Sequence, residues 1–261
     1  MATDDSQMTT AAHSPGGGDA SRPWTELASD YEQARSREDS LDRLVEWPAQ
    51  RDMLGDVTGL SLLDAGCGNG AKIAQLVQDG AVASVGVDIS DNFVTEAPPG
   101  LELIQGDLSD LAAVQGLAGR SFDRILFLQS FGYANDPVHA LKTARAMLKD
   151  DGFVLLTRTQ PIRYAIERAE ENGTTLGEEY FSTSSFSYRH RNWNEGVTLT
   201  KRPYTMSDLL NIFSAAGMWV ETTVEPQMSR EIGERYPHKQ AVLNRYLGIL
   251  MFKLRPLPVR F

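Results

Sequence analysis

Cysteine is nearly missing from this chain: Cys67 stands alone among 261 residues. An intrachain disulfide is thereby excluded, and a reducing, cytoplasmic setting is the expectation. Positive charge is also short, with 25 Lys and Arg against 35 Asp and Glu, a net charge of −10 and no dense basic stretch. Phosphate backbones are held by clustered positive charge, so the expected partner is not a nucleic acid but a small or uncharged molecule. No apolar run reaches the roughly 18 residues of a membrane span, and residues 1–20 lack the basic and apolar regions of a secretion signal, so no membrane association is expected. Metal-ligand spacing among His, Cys, Asp and Glu is absent as well, and no metal site is expected.

What the chain does contain is a strand, a glycine turn and a helix in direct succession. Leu62 and Leu63 close an apolar run and Asp64 follows. Gly66, Gly68 and Gly70 then stand two apart, and Ile73, Leu76 and Val77 share a helical face that Gly80 ends. Such a junction lets a ligand approach bare backbone and turns helix N–H groups toward anything anionic or polar bound there. The small size of Cys67 fits that backbone geometry, and no histidine lies near it in sequence to make it a nucleophile. Gly66, Gly68 and Ala71 also satisfy the looser dinucleotide pattern, with Asp88 at about the distance of a ribose-binding acid, so a nicotinamide-dependent oxidoreductase stays open. Three features tilt the balance away from it: Asp64 at the strand end, Asp107 after the third strand, and Phe-Leu-Gln-Ser-Phe-Gly-Tyr after the next.

With Leu-Leu-Asp-Ala-Gly-Cys-Gly-Asn-Gly at 62–70, Val-Gly-Val-Asp-Ile-Ser at 85–90, Gln-Gly-Asp-Leu at 105–108 and Phe-Asp-Arg-Ile-Leu-Phe at 122–127, the chain resembles the class I S-adenosylmethionine-dependent methyltransferases. The likeness is to the small-molecule branch that includes ubiquinone/menaquinone-type and natural-product enzymes. It implies an enzyme that uses S-adenosyl-L-methionine to methylate a hydrophobic small molecule of secondary metabolism, by in-line displacement. Carried over residue by residue, it assigns Asp88, with Ile89 beside it, to the ribose hydroxyls. Asp107 takes the adenine amino group and the Leu108 N–H a ring nitrogen. Gly66 and Gly68 give close backbone approach, Asp64 orients the turn or meets the methionine amino group, Gln129 lies near the amino acid portion, and Tyr31 reaches the methionine end. The plainer alternatives are a helix cap at 91 for Asp88, a cap near 109 for Asp107, and simple packing for Tyr31. A cofactor-binding scaffold without methyl transfer is a further alternative.

The rest of the pattern predicts an α/β fold: a Rossmann-like, seven-stranded, mostly parallel sheet with helices on both faces, N-terminal cap helices and a β-hairpin inserted after the fifth strand. Strands are expected at 61–64, 83–88, 101–106, 122–129, 153–158, 218–224 and near 246–254, and helices at 71–79, 109–118 and 137–149. Residues 1–22 are expected to be a disordered tail. A single domain is expected over 23–261, with cap helices at 23–55 and a substrate-side insertion at 160–205. Six aromatic residues concentrate between Tyr180 and Tyr204, in two strands expected at 180–190 and 197–204 and, for Trp193, in the turn between them. Thr205 with Asp208 reads as a capping-box start, and 225–240 as irregular. Candidates to orient or deprotonate an acceptor are His190, Tyr133 and His238; His139 reads as a surface residue. Whether the caps and hairpin cover a pocket or meet a second subunit is open, which leaves a homo-oligomer possible.

Overall fold

A computed structural model describes residues 6–9, 21–95, 97–190 and 197–258. Its strands are β1 (Ser6–Thr9), β2 (Ser61–Ala65), β3 (Val82–Asp88), β4 (Glu102–Gln105), β5 (Phe122–Leu128), β6 (Leu148–Thr159), β7 (Phe186–His190), β8 (Leu199–Lys201), β9 (Met218–Val224) and β10 (Ile249–Pro256). The described residues fall into two compact units. One holds the described residues of 50–158, 209–224 and 251–258, and the other those of 6–49, 159–208 and 225–250.

The first unit is built on the expected seven-stranded sheet, in the order β4-β3-β2-β5-β6-β10-β9. β2 pairs in parallel with β3 and β5, β3 with β4 and β5 with β6, while β9 runs antiparallel to β10. All five residues of β2 are buried, as expected of a central parallel strand covered on both faces. Helix Ala71–Gln78 buries Ile73 and Leu76 but leaves Val77 41% exposed, so the apolar stripe is narrower than the sequence suggests. The helix expected at 109–118 is instead a short 3₁₀ stretch, Leu108–Ala113, kinked at Asp110. Asp107 and Asp110 accept from the backbone N–H groups of Ser109 and Ala113, and such local bonds compete with regular helix. β6 begins five residues before the strand expected at 153–158. Phe122 pairs with Leu148 and Arg124 with Phe153, so 149–152 bulge out of the ladder.

In the second unit, β1, β7 and β8 form an antiparallel sheet. The hairpin expected there is present in β7 and β8, whose connection at 191–196, including Trp193, lies outside the described residues. Disorder is expected over 1–22, yet Ser6–Thr9 pair with Ser187–His190, completing the backbone bonds of a strand that would otherwise be an edge. Residues 176–180 form a helix, so the first hairpin strand starts at Phe186 rather than 180. Its capping box joins Thr175 and Glu178. The neighbouring Glu179 is buried against Arg168 and accepts from Asn172 and Thr174. Thr205 and Asp208 make the expected reciprocal cap. The stretch read as irregular holds helices Arg230–Arg235 and Pro237–Tyr246, started by the Ser229 hydroxyl and by a proline at the first helical position.

At the amino end of the first unit's sheet, Asp123 accepts from the Ser61 N–H at 2.8 Å, the Ser61 hydroxyl at 2.7 Å and Lys149 at 2.8 Å. Partial burial pushes its carboxyl up, but the bonds from Lys149 and Ser61 outweigh this and hold it at about 2. A carboxyl lowered on folding stabilises the native state above the ordinary aspartate range, and that contribution is lost as pH falls toward about 2. Urea unfolding of wild type and Asp123→Asn should therefore differ by about 1–2 kcal/mol at pH 6 and converge near pH 2. A constant difference across that range would contradict the assignment.

Candidate functional site

The carboxyl ends of the parallel strands gather the polar residues singled out from sequence in the first unit. Asp64 is paired with Gly86 on one side and Leu126 on the other. Asp88 is level with Gln105, and the Gly106 N–H donates to the Asp88 carbonyl at 2.8 Å. Asp107 follows directly. Gln129 ends β5's side of the rim, its N–H on the Thr157 carbonyl at 3.0 Å. Asp64 is 2% and Asp88 8% exposed.

Between these groups lies the glycine turn, and its main-chain donors are largely committed. Gly66 and Cys67 both donate to the Val87 carbonyl, at 2.7 and 3.1 Å. The Gly68 N–H donates to Asp88 Oδ2 at 2.8 Å, Gly70 to the Cys67 carbonyl at 3.2 Å, and Ala71 to Asn69 Oδ1 at 3.0 Å. The turn's own amides are thus used by protein acceptors, and of the helix's first N–H groups Ala71 is bonded to Asn69. The other Asp88 oxygen accepts from the Ser90 N–H at 3.0 Å. Burial raises the Asp88 carboxyl above the usual carboxylate range, against the opposing pull of the Ser90, Gly68 and Ile89 N–H groups. The cap of helix Asp91–Thr95 is not Asp88: the Phe93 N–H reaches the Ser90 hydroxyl, at 3.4 Å. Asp107 does cap its helix, accepting the Ser109 N–H at 2.8 Å.

Close approach at Gly66 also differs from the simple expectation. Its φ is +84°, and a Cβ placed there would lie 2.3 Å from the Cβ of Ser130 and 3.3 Å from Leu108. The bare Cα therefore admits a neighbouring loop of the protein. The Ser130 hydroxyl, itself buried, donates to the Ala65 carbonyl. Gln129, just before it, takes φ +68°, a strained value for a residue with a side chain. A second buried serine, Ser109, accepts the Asn135 N–H at 3.0 Å and so joins the loops after β4 and β5. Sequence reading overlooked both serines, since nothing local distinguishes a serine that reaches another loop. Cys67 Sγ bonds the Gly68 carbonyl at 3.2 Å and lies 2.6 Å from where a Gly86 Cβ would be. That matches a packing reason for its size.

The remaining candidates divide. Ile89 and Leu108 sit beside the carboxylates in sequence, and Tyr133 ends the short helix Phe131–Tyr133, its N–H on the Ser130 carbonyl. Tyr31, His190 and His238 belong to the other unit. There the Tyr31 hydroxyl accepts from Arg35, which also pairs with Asp42, and Trp24 meets the ring edge-on at 5.7 Å. Burial raises the Tyr31 hydroxyl's pKa while Arg35 opposes it. His238 lies 3.8 Å from Asp39, and His190 is the last residue of β7. His139, in the first unit, is exposed and pairs with Asp110 at 3.2 Å. Also in the second unit, Lys201 donates to the Tyr164 hydroxyl at 2.6 Å, which bonds Thr159 at 3.0 Å, a polar chain that sequence reading missed. An open groove of about 750 Å³ beside Asp150, Trp219 and Arg255 lies at the start of β6, the opposite end from the carboxylate rim.

Residues 63–156 match the family described as a methyltransferase domain. An uncharacterised protein of Haemophilus influenzae is 23% identical over 216 residues, 76% of this chain and 83% of that protein. A tRNA U34 carboxymethyltransferase of Aeromonas salmonicida is 26% identical over 114 residues, 42% of this chain but 35% of that enzyme. Among solved structures, an S-adenosylmethionine-dependent methyltransferase from Mesorhizobium loti has a TM-score of 0.62 at 22% identity, over 80% of this chain and 97% of its own. The DhpI–SAH complex has a TM-score of 0.60 at 16% identity, over 92% of this chain and 97% of its own. The shared feature is the fold.

Because the space at Gly66 is filled by Ser130 and its backbone is left-handed, Gly66→Ala should lower stability by about 2–4 kcal/mol. The midpoint of urea unfolding measures this, and an unchanged midpoint would show that the two loops do not meet.

Proposed function

We propose, for a chain whose residues 63–156 match the methyltransferase domain family, that it binds S-adenosyl-L-methionine and passes the methyl group to a hydrophobic small-molecule acceptor. The observation that carries the reading is the Asp88 carboxylate, buried at the rim and bonded to the Gly68 and Ser90 N–H groups. Each carboxylate oxygen has a second lone pair, so Asp88 accepts the two ribose hydroxyls while keeping those backbone bonds. Asp107 bonds Ser109 through Oδ1 and takes the adenine amino group through its other oxygen. Leu108 N–H serves the ring, Ile89 lines it, and Asp64 with Gln129 holds the amino acid end. Tyr31 is assigned to the methionine end as well.

The rim suits the charge of this cofactor. The Gly66, Cys67, Gly68 and Gly70 N–H groups are bonded within the protein, and Asp64, Asp88 and Asp107 stand at the neighbouring strand ends. Such a site favours the cationic sulfonium and ammonium over the anionic bridge of a dinucleotide. When bound, the cofactor supplies a methyl group already activated by its positive sulfur. The chain's task is therefore to hold the two reactants in line and exclude water. Tyr133, His190 and His238 are proposed to orient the acceptor or take its proton. The aromatic residues from Tyr180 to Tyr204 and the net charge of −10 support an apolar, uncharged acceptor, with 23–261 working as one cytoplasmic enzyme, 23–55 as its cap and 160–205 on the substrate side. The partial likeness to a tRNA-modifying enzyme favours an RNA acceptor instead, and the acidic balance weighs against it.

S-adenosylhomocysteine should raise the melting temperature while NAD and NADP leave it unchanged; stabilisation by the nicotinamides alone would refute the cofactor assignment. Labelled cofactor offered with a small-molecule set and with tRNA then separates the two acceptor readings. Asp88→Asn should weaken S-adenosylhomocysteine binding at least about 30-fold, roughly 2 kcal/mol. In wild type, affinity should decline as pH falls through a range above that of an ordinary aspartate, because the ionised carboxylate is the form that accepts both hydroxyls. Calorimetry across pH checks both statements. If His190 takes the acceptor's proton, His190→Gln should reduce turnover at saturating cofactor by at least ~100-fold; a wild-type rate removes it from the mechanism.

A further inference from the structure

Two backbone outliers on different loops meet at one side chain. Gly66, after β2, has φ +84°, and Gln129, after β5, has φ +68°. Ser130 lies between them. Its Cβ occupies the place a Gly66 side chain would take, at 2.3 Å, and its hydroxyl donates to the carbonyl of Ala65, the residue that precedes the turn. On the β3 side the turn is held by main chain and carboxylate, through Val87 and Asp88. On the β5 side, the bond from Ser130 is the matching restraint. The left-handed backbone at Gln129 is what brings Ser130 under Gly66, and strained residues persist where surrounding contacts over-determine them, often at ligand-binding sites.

We propose that Ser130 is a positioning residue for cofactor binding. It fixes the main chain from Ala65 to Gly68, and with it the carbonyls and the Asp88 carboxylate that meet the adenosyl and amino acid groups. The inference rests on the cofactor reading above. It adds that affinity depends on a residue that bonds the turn rather than the ligand. Removing the hydroxyl leaves a buried carbonyl without that donor and frees the turn to shift, and small displacements in a preorganised site are felt as lost affinity. A purely structural serine would lower the stability of the ligand-free protein and leave the affinity of the folded fraction untouched.

The test uses the full chain with S-adenosylhomocysteine as probe, read by calorimetry, and S-adenosylmethionine in turnover. Ser130→Ala should raise the dissociation constant about ten-fold and raise KM for the cofactor by a similar factor, with kcat at saturation within about two-fold of wild type. Ser130→Cys keeps the shape of the side chain at a slightly larger size but has a weak donor, and should show the same loss if Ser130→Ala does not fold. The steric role is read separately. Adding Ser130→Gly to Gly66→Ala should bring the melting temperature back toward that of Ser130→Gly alone, while affinity stays as weak as in Ser130→Ala. Wild-type affinity in folded Ser130→Ala or Ser130→Cys overturns the proposal. Failure of wild type itself to bind the probe would instead overturn the cofactor reading.

Discussion

The end of β3 is the constraint on which the site depends. Val87 offers one carbonyl to two successive turn amides, and Asp88 offers a carboxylate oxygen to a third. These bonds fold the chain back over the sheet rim before helix Ala71–Gln78 begins. They also consume the donors that a glycine turn is usually credited with presenting. The turn is therefore braced by the protein's own acceptors and flanked by carboxylates, surroundings that suit the proposed sulfonium cofactor better than they would a phosphate.

That distinction matters because strand, turn and helix recur in both dinucleotide and adenosyl sites. The glycine spacing satisfies either, and so does an acid after the second strand. What separates them is where the hydrogen bonds go. Asp88, buried and with its carboxyl raised, is bonded to the turn on one oxygen and to its own loop on the other. It is a strut for the turn and, in the function proposed above, also the group that meets the ribose.

The elements legible in the chain are those whose signals are local. Thr205 with Asp208 announced a helix start, Gly80 announced a stop, and the strands expected at 61–64 and 122–129 stand at Ser61–Ala65 and Phe122–Leu128. Where side chains compete with the backbone, the pattern misled: Asp107 and Asp110 cut a helix to a short 3₁₀ stretch. Helices at Arg230–Arg235 and Pro237–Tyr246 were hidden because their apolar stripe is weak, although a serine cap and a first-turn proline marked them. Glu179 illustrates the opposite difficulty. Its burial against Arg168 holds a helix where aromatic spacing suggests a strand, and tertiary pairing overrides that propensity.

The amino-acid order by itself determined the alternation of strands and helices, the turn, and the placing of Asp64, Asp88, Asp107 and Gln129 at strand ends, since each follows from periodicity and from residues a few positions apart. Only the tertiary structure decided that Gly66 makes room for Ser130, that Asp88 bonds Gly68, and that Ser6–Thr9 complete a sheet with β7. Those are contacts between residues 20 to more than 170 positions apart. Steric fit and hydrogen-bond partnership across such separations exist only once the chain has folded.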